Sequence, residues 1–82
     1  MTREEIRQTV IGALSDIAPE TDPGTTDPRA DLREALDIDS MDFLNFVIAL
    51  HKRLQVEIPE ADYPKLLTVA GATDYLAVKL GA

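Results

Sequence analysis

The sequence predicts an all-α fold. It is a small antiparallel four-helix bundle of three long helices and one short irregular helix, with a long loop between helices 1 and 2. Three observations predict it. Apolar residues recur at spacings of three and four in three separate stretches, which is the pattern of one-sided helices. Each stretch opens on a residue suited to cap a helix: Thr2, Asp39 or Thr68. All five prolines fall between the stretches, at Pro19, Pro23, Pro28, Pro59 and Pro64, with Gly24 beside Pro23. Eighty-two residues form one domain, 1–82. A chain of that size buries only about 60% of its unfolded surface, so the core is small.

The first helix is predicted over Glu4 to Ile17. Thr2 and Glu5 have the spacing of a capping box. Ile6, Val10, Ile11, Leu14 and Ile17 supply the apolar stripe, Gly12 permits a close approach, and Pro19 ends the helix. From Pro19 to Ile38 the chain reads as loop. So long a connection in a small domain is functional or tacked to the core. Leu32, Leu36 and Ile38 are the candidate tacks, with a short helical turn around Asp31 to Leu36.

The second long helix follows Leu36-Asp37-Ile38, where apolar and acidic residues alternate. Asp39 caps it, Ser40 stands in its first turn, and Phe43, Phe46, Val47, Leu50 and Leu54 form its apolar face. Asp39 and Asp42 also suit the positive end of the helix dipole. Gln55 to Pro59 is extended, with Ile58 directed to the core. Pro59 opens a short third helix around Glu60 to Leu66, and Tyr63-Pro64 makes it irregular. Thr68 caps the last helix. Val69, Ala72, Thr73, Leu76 and Leu80 face inward, and Gly81 lies past the end.

Composition excludes several classes of function. There is no cysteine, so the side chains supply no thiol, no disulfide and no thiolate metal site. No run is long and apolar enough to span a membrane, and the N-terminus lacks a signal-peptide h-region, so a cytoplasmic protein is expected. The net charge of −7 is concentrated: residues 16 to 42 hold nine acids against two arginines, while both flanking segments balance to zero. Such a field repels nucleic acid and anionic membrane and favours basic protein surfaces. The one histidine, His51, is eleven residues beyond Ser40 on one helix, which separates the backbones by about 16 Å. A serine–histidine nucleophile pair within the chain is thereby excluded. Asp37, Asp39 and Asp42 lack the glycine turn and terminal glutamate of a calcium-binding loop, so no dedicated metal site is expected.

Leu36-x-Ile38-Asp39-Ser40-Met41-Asp42, followed by Leu44, Val47 and Leu50, resembles the attachment motif of the acyl carrier protein family. The family motif is normally Asp-Ser-Leu, and methionine stands here for leucine. Asp37 stands where glycine is frequent. The likeness runs on through Leu54-x-x-Glu57-Ile58-Pro59 and Asp74-Tyr75-Leu76. It covers Asp31 to Leu80, and the first thirty residues by pattern. In that fold a long loop joins the first two helices.

The resemblance implies a carrier that catalyses nothing. Ser40 would bear 4′-phosphopantetheine, transferred from coenzyme A by a separate phosphopantetheinyl transferase. Cargo would ride on its thiol as a thioester, as in fatty acid or polyketide biosynthesis. Asp39 and Asp42 would dock basic residues of the transferase and of acyl-loading and acyl-processing enzymes, with Met41, Leu44 and Ile48 as the apolar centre of the contact. A monomer is expected. Asn45, His51, Lys52 and Arg53 replace residues often acidic in fatty-acid carriers, which favours a dedicated partner set. Phe43 aligns with the mouth of the space where such carriers shelter an acyl chain, so cargo here is expected to be short or polar. Two alternatives stand beside this reading: a peptidyl or aminoacyl carrier of a specialised pathway, and an unmodified helical interaction module.

Overall fold

In the computed structural model, which describes Met1–Ala82, the α-helices run in the order α1 (Arg3–Ile17), α2 (Leu32–Ala35), α3 (Ser40–Leu54) and α4 (Val69–Leu80). Two 3₁₀ segments, Pro23–Thr25 and Glu60–Leu66, lie in the connections. The predicted architecture of three long helices and a short irregular one is what the chain adopts.

Helix α1 is the hub and packs against both α3 and α4. It starts one residue earlier than the periodicity indicates, because Thr2 completes a full capping box. The Thr2 hydroxyl accepts from the Glu5 N–H at 3.1 Å, and the Glu5 carboxylate accepts from the Thr2 N–H at 2.7 Å. Its buried face is Ile6, Val10, Ala13 and Leu14. Ile11 and Ile17 are only half-buried. A helix seated on Ile6 and Val10 turns residue 13 inward and residue 11 to the flank. Gly12 faces Arg53, whose guanidinium pairs with Asp16.

The connection from α1 to α3 is long but anchored. Pro23, Leu32, Leu36 and Ile38 are buried. Two backbone hydrogen bonds also tie it to the start of α4: Leu32 N–H donates to the Leu67 carbonyl, and Ala70 N–H donates to the Pro28 carbonyl, each at 2.8 Å. Helix α2 is one turn, capped by the Asp31 carboxylate, which accepts from the Arg33 N–H at 2.9 Å. The Arg33 guanidinium reaches the same group, and together these bonds hold the Asp31 carboxyl below its ordinary pKa.

After α3 the core plug is Val56, buried at 7% exposure, while Ile58 is only half-buried. Gln55 explains the difference. It ends α3 in the left-handed region, with φ 56°, and so turns the next residue inward. Pro59 precedes the Glu60–Leu66 segment instead of opening it. In α4 the buried residues are Val69, Ala72, Thr73, Leu76 and Ala77, with Leu80 half-buried in the last turn. Thr73 is tolerated inside because its hydroxyl donates to the Val69 carbonyl at 2.8 Å. No helix is long and apolar enough to cross a membrane.

Candidate functional site at the start of the third helix

The alternation seen in the sequence sets the entry into α3. Leu36 and Ile38 are buried and Asp37 and Asp39 are exposed. Asp37 has φ 53°, a left-handed conformation that aspartate accepts more readily than most residues. This bend delivers Asp39 to the N-cap. Its carboxylate accepts from the Asp42 N–H at 2.8 Å, and the Asp42 carboxylate accepts in return from the Asp39 N–H at 3.4 Å. The result is a capping box built from two aspartates.

Ser40 is the first residue of α3 and is exposed. Its hydroxyl belongs to none of the side-chain hydrogen bonds, and the N–H groups of Ser40 and Met41 donate to no protein acceptor. A free hydroxyl therefore stands beside two free N–H donors at the positive end of a four-turn helix. That arrangement suits a phosphate ester.

The surrounding field is negative. In the acidic segment only Asp16 and Asp31 have ion-pair partners, namely Arg53 and Arg33. Glu20, Asp22, Asp27, Glu34, Asp37, Asp39 and Asp42 have none. No cluster of three acidic or histidine side chains converges as a metal would require. Two large apolar side chains stand out on the same face of α3: Met41 is 63% exposed and Ile48 40% exposed. Leu44, between them in sequence, is half-buried and contributes only part of its side chain. Asn45 and Lys52 continue this exposed face.

His51 is exposed and far from the hydroxyl, but it is not idle. Its Nδ1 lies 2.6 Å from the Val56 carbonyl oxygen. A carbonyl only accepts, so Nδ1 carries the hydrogen. His51 thereby fastens the chain that leaves α3. The only sequence signal for this role is its place in the last turn, where cations and donors meet free carbonyls.

Three aromatic side chains meet along α3: buried Phe46, and half-buried Phe43 and Tyr63. The Phe43 ring lies 6.1 Å from that of Phe46, in a tilted pair, and 6.4 Å from that of Tyr63, edge to face. Tyr63 belongs to the Glu60–Leu66 segment, so this contact joins that segment to α3. On its other side, the Tyr75 hydroxyl of α4 donates to the Asp62 carboxylate at 2.7 Å. That bond holds the Asp62 carboxyl below its ordinary pKa. Burial, and then the same bond, push the Tyr75 phenol up to about 12.

Residues 8–76 match the family described as "Phosphopantetheine attachment site". The chain belongs to this family, whose prosthetic group is phosphopantetheine. Three similar proteins are each named acyl carrier protein. That of Rubrobacter xylanophilus is 34% identical over 93% of this chain and 93% of its own length. That of Thermosynechococcus vestitus is 33% identical over the whole of both chains. That of Campylobacter curvus is 32% identical over 95% of this chain and 94% of its own. The resemblance expected from the Asp39-Ser40-Met41-Asp42 motif is thus borne out over nearly the full length.

Proposed function

We propose that this protein is an acyl carrier: it holds acyl intermediates as thioesters on a 4′-phosphopantetheine arm attached to the Ser40 oxygen and presents them to partner enzymes. The observation that carries the reading is the free, exposed Ser40 hydroxyl at the first position of α3, inside a chain of the phosphopantetheine-attachment family. The residues fit the group. The Ser40 and Met41 N–H groups are available to phosphate oxygens, and the exposed first turn leaves room for a transferase to surround the serine. The arm supplies the thiol that a cysteine-free chain lacks. The chain itself positions and presents; it catalyses nothing.

Partner recognition is assigned to the same end of α3. Asp39 and Asp42 face basic residues of the phosphopantetheinyl transferase and of acyl-loading and acyl-processing enzymes. Met41 and Ile48, with part of Leu44, form the apolar contact. The exposed Asn45, His51 and Lys52 make the far half of the helix neutral to basic, which supports a dedicated partner set. The Phe43 ring, in contact with Phe46 and with Tyr63, occupies volume that an alkyl chain would need, which supports a short or polar cargo that stays outside. The protein is proposed to work as a cytoplasmic monomer, folded as one domain.

The test is to incubate the protein with a broad-specificity transferase and acetyl coenzyme A, then treat it with neutral hydroxylamine. The expected result is a mass gain of the acetylated arm, followed by loss of the acetyl group alone. No gain in mass, or an acetyl group that resists hydroxylamine, would contradict a thioester carrier.

A further inference from the structure

Phe43 lies three residues past Ser40, one turn along α3. Each methylene moved from water into an apolar interior favours burial about fourfold. A long alkyl cargo on Ser40 therefore gains by entering the core wherever the core opens. Next to Phe43 the half-buried Tyr63 ring lies edge to face, 6.4 Å between ring centres, and covers one way in. What keeps Tyr63 there is the question.

The Glu60–Leu66 segment holds itself weakly. It is 3₁₀, has no side-chain cap at its start, and contains Pro64. Its stronger attachments are to α4. The Tyr75 hydroxyl donates to Asp62 at 2.7 Å, next in sequence to Tyr63. The Lys65 carbonyl oxygen sits so close to Gly71 that an added Cβ would lie 2.7 Å away. The ammonium groups of Lys65 and Lys79 flank the Tyr75 ring at 5.9 and 5.5 Å from its centre.

We propose that the Asp62–Tyr75 hydrogen bond sets the cargo length: it fixes the Glu60–Leu66 segment, keeps Tyr63 seated on Phe43, and so excludes long acyl chains from the core. Asp62 and Tyr75 are positioning residues, since neither touches cargo. The inference rests on the carrier reading above, and it adds the device that selects cargo.

The test compares acetyl- and octanoyl-loaded protein by amide shifts at Phe46, Tyr63 and Leu66, with intact mass confirming the load. Four chains are used. Tyr75→Phe keeps the ring and loses only the donor. Asp62→Asn keeps an acceptor oxygen and is the conservative replacement. Thr2→Ala removes the distant cap of α1 and controls for general loosening. In wild type, Asp62→Asn and Thr2→Ala, the two cargoes should give the same shifts. Tyr75→Phe should show large octanoyl-specific shifts.

Amide exchange across residues 60–66 of the unmodified protein reads the same contact without cargo. It should become about tenfold faster in Tyr75→Phe and stay unchanged in Thr2→Ala. Octanoyl-specific shifts in wild type, their absence in Tyr75→Phe, or their appearance in Thr2→Ala would each overturn the proposal. Failure of wild type to load would contradict the carrier reading instead. The exchange measurement would still decide the contact, and an unchanged rate in Tyr75→Phe would overturn it.

Discussion

Asp39 and Asp42 each accept a hydrogen bond from the other's backbone N–H, at 2.8 and 3.4 Å, and so form the cap of the helix that carries Ser40. The shorter bond is the stronger, so the two residues differ in their structural role. Asp39→Ala should lower stability by about 1 kcal/mol, the usual cost of a lost N-cap. Asp42→Ala should cost less than Asp39→Ala. Urea denaturation followed by circular dichroism measures both. Equal losses would mean that the longer bond matters as much as the shorter one.

Charge at this cap should act on docking as well as on folding. Asp42→Lys should slow modification by a transferase, with a loss that shrinks as salt screens the contact. Lys52→Glu lies about three turns away and should leave the rate nearly unchanged. Arg53→Glu also breaks the exposed pair with Asp16, worth about 0–1 kcal/mol, so it should touch stability more than rate. Initial rates at several salt concentrations measure this. Equal slowing by all three substitutions would show that docking is not centred on the first turn.

Two glycines within helices should respond in opposite directions to alanine. By propensity alone each substitution gains about 1 kcal/mol. At Gly12 the nearest obstacle is the tip of Arg53, 3.3 Å from an added Cβ and held only by its exposed pair with Asp16, so it can give way and Gly12→Ala should stabilise. At Gly71 the obstacles are the Lys65 carbonyl oxygen at 2.7 Å and the Thr68 hydroxyl at 2.9 Å. Backbone cannot yield so easily, and overpacking of this kind costs about 1–3 kcal/mol, so Gly71→Ala should destabilise. Paired melting curves decide it.

The Asp62–Tyr75 bond should leave a mark at both ends of the pH scale. The Asp62 pKa is lowered in the fold, so its contribution is present above the ordinary carboxylate pKa of 3.8 and is lost as pH falls through the lowered value. The Tyr75 pKa is raised from 10.0 to about 12, so its contribution is complete below pH 10 and is lost as pH climbs toward 12. Tyrosinate absorbance read within seconds of a jump to alkaline pH should show one phenol titrating near 12. That component should vanish in Tyr75→Phe. A Tyr75 that titrates near 10 would show that the phenol is neither buried nor bonded to Asp62.

Periodicity made the three long helices legible, because each buries one face in a shared core. The place of Ser40 at the start of α3 was legible because a capping aspartate, a hydroxyl and an apolar stripe follow one another without interruption. Less visible was which residue turns inward where the chain bends. Val56 replaces Ile58 because Gln55 adopts a left-handed conformation that no glycine announces. Ala13 and Ala77 escape notice because alanine is apolar but small, and only the position of neighbouring helices buries it. The bonds from Leu32 to Leu67, from Ala70 to Pro28 and from Tyr75 to Asp62 join residues distant in sequence, and no local pattern encodes them.

Ser40 is proposed as the sole point of attachment. Wild type and Ser40→Ala, each shown to be folded by circular dichroism, are incubated with coenzyme A and a broad-specificity phosphopantetheinyl transferase, and intact masses are taken. Wild type should gain the mass of one phosphopantetheine arm and Ser40→Ala should gain nothing. A wild-type protein that stays unmodified, or an alanine variant that still gains the arm, would contradict the account.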